Sequence, residues 1–185
     1  MKKFFTIAFI SMVLLWVMHS IGCVSANATE MSEKELRAYA SENNTWVVCY
    51  QQGVRTSNFD QYDATDQYLY ISYSKHNCVD IYDMRGVFLY SFLFPERQNG
   101  SVSVRCENNQ VYIRTKDDDI YIFDGVEEVE HMDYDTAQKK GYDFFWFYDN
   151  NPRVTIDGKE ISWLSESGDA INQIPTPSVI KETMP

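Results

Sequence analysis

Glycine and proline are scarce in this chain, eight and five among 185 residues, which argues against long disordered linkers. Cysteine is scarcer still at four, and Cys23 falls within an N-terminal apolar segment. The other three, Cys49, Cys78 and Cys106, are an odd number, so no disulfide framework is implied. Cys78 and Cys106 could bridge, but burial as small apolar side chains accounts for them as well. Positive charge is also short, with 16 Lys and Arg against 27 Asp and Glu and a formal net charge of −11. So acidic a surface, with no basic stripe to offset it, repels phosphate backbones and argues against a nucleic-acid partner. Solubility, or attraction of cations or a basic partner surface, is what such acidity serves. Catalytic and metal-binding signatures are missing as well.

What is present begins with an export signal. Lys2 and Lys3 precede an apolar run from Phe4 to Met18, and Ala26-Asn27-Ala28 offers small residues where a signal peptidase cuts. Cleavage after Ala28 is the preferred reading. Retention as a membrane anchor and lipidation at Cys23 after Gly22 are the alternatives. All three predict an extracytoplasmic domain, secreted or held at the outer face of the cell membrane. Without the leader, enough chain remains for one domain with a real core.

Ser32-Glu33-Lys34-Glu35 has the capping-box pattern, with Leu36, Tyr39 and Ala40 following at helical spacing. This predicts a short amphipathic helix over Glu33–Glu42. From Trp46 the pattern becomes that of strands. The stretch LYISYSKHNCVDIYDMRGVFLYSF (Leu69–Phe92) is echoed roughly 41 residues on by VYIRTKDDDIYIFDGVEEVEHM (Val111–Met132). Strands are predicted at Tyr68–Tyr73, Cys78–Tyr82, Val87–Phe92, Ser101–Cys106, Val111–Arg114, Ile120–Phe123 and Glu127–Met132. An Asp157-Gly158 turn between β-branched flanks marks a further hairpin from Val154 to Trp163. After Ser165 the chain is polar and carries three prolines, which predicts a frayed tail.

The expected fold class is all-β: a propeller-like stack of two to three antiparallel blade units, preceded by an N-terminal hydrophobic helix and the short amphipathic helix. The corresponding segments are a leader or anchor over 1–28, helix and linker over 29–45, a β-repeat domain over 46–165 and a polar tail over 166–185. Val79–Phe92, VDIYDMRGVFLYSF, resembles a repeat of the NHL-type β-propeller proteins: paired strands about an aromatic-Asp, a Gly turn and an apolar strand ending in Phe. Ile120–Met132 shares its Phe123-Asp124. The resemblance implies a blade architecture and a binding role, and it transfers no functional residue. At about 41 residues a unit the chain holds two to three units, fewer than the 4–8 blades of a closed ring. Exposed sheet edges must therefore be capped, or completed by oligomerisation.

The polar and aromatic clusters each have a bland reading beside a functional one. Asp117, Asp118 and Asp119 are the weak candidates for a cation site, although the spaced pattern of a calcium loop is absent and a solvated turn suits them better. His76, Cys78, Cys106 and His131 lack zinc-ligand spacing. Asp60, Asp63, Asp66, Glu127, Glu128 and Glu130 supply carboxylates for a hydrolase without showing a held pair. Tyr142–Tyr148, if extended, puts Phe144, Trp146 and Tyr148 on one face as a weak candidate binding surface for sugar rings or protein, with core packing as the alternative. No cofactor is expected. The sequence thus points to a non-catalytic module or scaffold that binds protein or glycan. An extracytoplasmic hydrolase using carboxylates, or an inert partial propeller, is the alternative.

Overall fold

The computed structural model describes residues 31–97, 99–148, 153–164 and 167–181. The leader, including Lys2, Lys3 and Cys23, lies outside the described residues. Helix α1 (Glu33–Asn43) begins with the expected capping box, in which Ser32 and Glu35 exchange bonds, and ends on Asn44 in the left-handed conformation. Leu36 and Ala40 form its buried stripe.

Among the described residues, twelve strands follow in three antiparallel sheets. The first sheet contains β1 (Val47–Cys49), β2 (Gln61–Ala64), β3 (Tyr68–Tyr73), β4 (Cys78–Asp83) and β5 (Phe88–Leu93), in the order β1-β5-β4-β3-β2. The second is the meander β6 (Ser103–Glu107), β7 (Gln110–Arg114), β8 (Ile120–Asp124) and β9 (Glu127–Met132). Helices α2 (Tyr134–Lys139) and α3 (Phe144–Tyr148) come next. The third sheet is β10 (Val154–Ile156), β11 (Glu160–Leu164) and β12 (Ala170–Pro175), and α4 (Ser178–Lys181) completes the elements.

The repeat seen in the sequence is a repeat of construction. Strands β2–β5 and β6–β9 are successive meanders, and each carries a β-bulge at the same place, between Ile81 and Tyr82 in one and Ile122 and Phe123 in the other. A bulge strengthens local twist and bends the strand it interrupts. Positive-φ glycines, Gly86 and Gly125, serve the corresponding turns.

The first two sheets pack face to face. Tyr70, Val79, Ile81, Tyr90 and Phe92 from one meet Val104, Val111, Ile113 and Phe123 from the other. Phe92 and Phe123 stack with centroids 4.2 Å apart, and Trp46 meets both edge-on. Period-two alternation sends the neighbouring residues to the opposite faces, and these faces are covered. α1 lies against β1 and β5. On the far side of the second sheet, Tyr112, Ile122 and Met132 pack with Ala137 of α2 and Phe147 of α3.

Two sequence expectations need correction. The aromatic run Tyr142–Tyr148 is not extended: Phe144–Tyr148 is helical, with Asp143 accepting from the Trp146 amide at 3.0 Å. Aromatic residues suit a strand by propensity, but burying Phe147 against the second sheet overrides that local preference. The expected polar tail contains β12, paired to β11. As an edge strand whose side chains stay largely in solvent, β12 carries little apolar alternation to announce it.

Candidate functional site

The neighbouring edges of β2 and β6 are joined through side chains. The Val104 amide donates to Gln61 Oε1 at 3.0 Å, and the Cys106 amide donates to Asp63 Oδ2 at 2.7 Å. Gln61 and Asp63 are two residues apart, so both point to the same side of β2 and match two amides spaced identically on β6. Asp63 Oδ1 accepts from the Ala64 amide at 2.8 Å and from the Arg153 amide, just ahead of β10, at 3.1 Å. One carboxylate therefore ties all three sheets together. Burial pushes its pKa above the usual aspartate value, against the opposing pull of those amides and Arg105.

A second buried polar group fixes the outer face of the first sheet. Arg55 and Asp80 have fully buried side chains and form a bidentate pair, Nε to Oδ2 at 2.9 Å and Nη2 to Oδ1 at 2.6 Å. Ser91 Oγ donates to the same carboxylate at 2.6 Å. Arg55 also reaches Glu33 of α1 at 2.9 Å, and Glu33 holds Arg37. Burial raises the Glu33 carboxyl, but Arg55 and Arg37 outweigh it and hold the group below the usual range. Bidentate geometry and completed hydrogen bonds are what make such a desolvated pair tolerable.

The residues singled out from sequence do not converge. Asp117 pairs with Arg97 at 2.7 Å, Asp118 with Arg114, and Asp119 faces His131 Nε2 at 3.3 Å. Among the described residues no group of three or more His, Cys, Asp or Glu is placed to hold a metal. His131 stacks on Tyr121, while His76 Nε2 accepts from the Thr56 amide at 3.1 Å. Cys49, Cys78 and Cys106 are free thiols. Trp146 packs with Tyr112 and Tyr142 beneath the Arg105 guanidinium, 3.9 Å from the ring centre, which makes it part of a packed layer. Tyr148 is 45% exposed, with its hydroxyl 3.0 Å from Ser103 Oγ. The side chain of Phe144 lies outside the described residues.

A cleft of about 490 Å³ is lined instead by Arg37, Lys75, His76, Asn77, Glu96 and Arg97. Sequence reasoning passed over these residues because they are scattered on three elements. α1 supplies Arg37. The 3₁₀ turn Ser74–His76 between β3 and β4 supplies Lys75 and His76, and closes on Asn77 with a φ of 46°. The segment after β5 supplies Glu96 and Arg97. A contact between the Glu96 amide and Ser41 Oγ at 3.0 Å binds that segment to α1.

The cleft is cationic in an acidic protein. Arg37 is oriented by Glu33 at 2.8 Å and by the His76 carbonyl. Arg97 is oriented by Asp117 at 2.7 Å and by Asn44 Oδ1 at 2.5 Å. The exposed Lys75 forms no ion pair or hydrogen bond among the described residues. Burial lowers the His76 pKa, and the Arg55 and Arg37 charges lower it further, so this ring is neutral at pH 7. The lining supplies positive charge and hydrogen-bond donors from Arg37, Lys75 and Arg97, with His76 and the Glu96 carboxylate beside them.

Among the described residues no helix is long and apolar enough to cross a membrane. No protein-family model matches the sequence, and no curated protein matches it.

Proposed function

We propose that the chain is a non-catalytic, extracytoplasmic binding module built of propeller-like blades, and that the Arg37–Lys75–Arg97 cleft receives an anionic group of its ligand. The observation that carries this reading is a concave, cation-lined surface on a chain of net charge −11. Scattered surface lysines would not make a site, but two guanidinium groups held in place by their own partners present donors at little further entropic cost.

The consecutive meanders with matching bulges support the blade reading, as does their face-to-face packing. The N-terminal charge and apolar run support export. Against the hydrolase alternative, the buried carboxylates of Asp63 and Asp80 are engaged by backbone amides and Arg55 respectively. A catalytic acid and base need two carboxyls facing a common substrate with separated pKa values.

Amide NMR of the full chain tests the reading. Inorganic phosphate or another oxyanion is expected to shift the amides of Lys75–Asn77, Glu96 and Arg97, while a neutral oligosaccharide leaves them in place. The reading fails if no anion moves these amides, or if the protein hydrolyses glycosides and loses that activity on substitution of a cleft-distant carboxylate. Mass spectrometry of the protein from native membranes reads the N-terminus directly, and a mature chain starting at Thr29 supports export by cleavage after Ala28.

A further inference from the structure

We infer that the outer edge of β9 is a docking strip for an extended, basic segment of another protein, which adds to the second sheet as its fifth strand. None of the residues of β9 lines the cationic cleft, so this partner is independent of the cleft's ligand.

Three open sheets have six edges, and among the described residues β9 is the long one left free. The edges of β2 and β6 are joined through Gln61 and Asp63. β1 and β10 are only three residues each, and α1 lies against the first. β12 ends on Pro175, which has no N–H to offer, and its Asn172 is tied to the Met84 carbonyl at 3.0 Å. β9 runs for six residues, about 20 Å of chain. Among the described residues it pairs only with β8, and all of it but Met132 is exposed. The backbone N–H and C=O groups turned away from β8 therefore face solvent, as a template for another strand.

The fold uses this device once within its own chain. β5 and β9 hold the same place, each the last strand of its meander and each opposite the matching bulge. Aligned on that bulge, Tyr90 corresponds to Glu130, Ser91 to His131 and Phe92 to Met132. β1 lies antiparallel along Ser91–Leu93 and makes β5 an interior strand, so a strand bulged in this way accepts an outer neighbour. The chemistry of each edge selects its occupant. β5 reads FLYSFL and is covered by VVC, apolar on apolar. β9 reads EEVEHM. Glu128 accepts from Trp46 Nε1 and Glu130 pairs with Lys140, whereas Glu127 has no ion pair or hydrogen bond from its side chain among the described residues. Val129, the extra residue of the bulge and 54% exposed, adds an apolar contact between the glutamates. Opposite charges on neighbouring strands stabilise their pairing and like charges oppose it. A second copy would lay glutamate against glutamate on chains of net charge −11. Lysine or arginine alternating with β-branched residues meets both the carboxylates and the backbone.

The test is fluorescence anisotropy of a labelled peptide alternating lysine and valine over about six residues, the length of the strip, titrated with the full chain. Amide NMR of the same complex reports where the peptide sits. The amides of Glu127–Met132 are expected to shift and to exchange more slowly. The same peptide N-methylated at every residue keeps its charge and loses its donors. It is expected to bind more than about tenfold more weakly, since each hydrogen bond lost is worth about twofold to tenfold. A serine-valine peptide keeps the donors and loses the charge, and is expected to bind about fivefold or more weakly. The exposed double substitution Glu127→Gln with Glu130→Gln is expected to weaken the lysine peptide about fivefold and to flatten the dependence of its affinity on salt. Equal affinity for the N-methylated peptide overturns strand addition, and equal affinity for the serine-valine peptide overturns the basic partner. Absence of binding, or binding without a response at Glu127–Met132, overturns the strip itself. Self-association of the native protein that protects the β9 amides without peptide identifies a second copy as the occupant and equally overturns the inferred partner.

Discussion

Replacing Asp63 by asparagine exchanges one carboxylate oxygen for an NH2 group inside a site built from donors. Asp63 Oδ1 serves the amides of Ala64 and Arg153, and Oδ2 serves Cys106. The side-chain oxygen of asparagine can keep the first pair, but its NH2 then confronts the Cys106 N–H. Two donors facing each other are both left unsatisfied, at about 1–3 kcal/mol per buried group. The variant recovers part of this, because the native carboxyl is itself disfavoured by burial, as its raised pKa shows. A net loss of about 2–4 kcal/mol is expected for Asp63→Asn. Asp63→Ala strands all three amides and should cost more, about 3–6 kcal/mol, a large part of the 5–15 kcal/mol that stabilises a typical domain. Urea unfolding followed by far-ultraviolet circular dichroism measures the loss directly. At about 2–4 °C per kcal/mol for a chain of this size, the asparagine variant should melt roughly 4–16 °C lower. Because Asp63 joins three sheets, the denaturant dependence should stay that of a single cooperative transition. A variant within about 0.5 kcal/mol of the native protein would refute the reasoning, since that is the range of an ordinary surface substitution.

Arg55→Met leaves Asp80 buried without its partner and is expected to cost about 3–5 kcal/mol, whereas Arg55→Met combined with Asp80→Leu should recover most of that loss; a double-mutant cycle by urea unfolding reads the coupling. His76 has a lowered pKa in the fold, so the unfolded chain binds its proton first as pH falls. The resulting stability is full above about pH 6.5 and is lost on acidification through the folded pKa. His76→Gln, which retains an acceptor for Thr56, should lack that loss between about pH 7 and 5 when unfolding is measured across pH. Burial pushes the Cys78 thiol up to about 12 and raises those of Cys49 and Cys106. Brief iodoacetamide treatment followed by peptide mapping should therefore find these three cysteines unmodified in the native protein and labelled in denaturant.

Much of the sheet structure was legible because it is periodic. Tyr68–Tyr73 and Glu127–Met132 are strands with the expected bounds, and the other repeat strands fall within a residue or two of theirs. The capping residues of α1 were equally readable, since Ser32 and Glu35 act through contacts three residues apart. What escaped was set by distant contacts. Strand β2 is only four residues long, Gln61 reads as an ordinary polar residue, and Asp63 is one candidate carboxylate among six until β6 stands beside them. β12 is an edge strand whose largely solvent-facing side chains give no alternating signal. The aromatic run Phe144–Tyr148 has the composition of a strand, and its helix is selected by where Phe147 finds a core. The cleft was the least legible feature. Arg37, Lys75 and Arg97 are far apart in sequence, and nothing local separates them from solvated surface cations. They become a site only when α1, the Ser74–His76 turn and the segment after β5 are brought together.

The claim that the cleft receives a tetrahedral oxyanion is tested most directly by the anomalous scattering of crystals of the protein soaked in tungstate. The account predicts a difference peak bounded by Arg37, Lys75 and Arg97, weakened or lost in the Lys75→Ala variant. An empty cleft, or tungstate bound only at other surface cations, would contradict it.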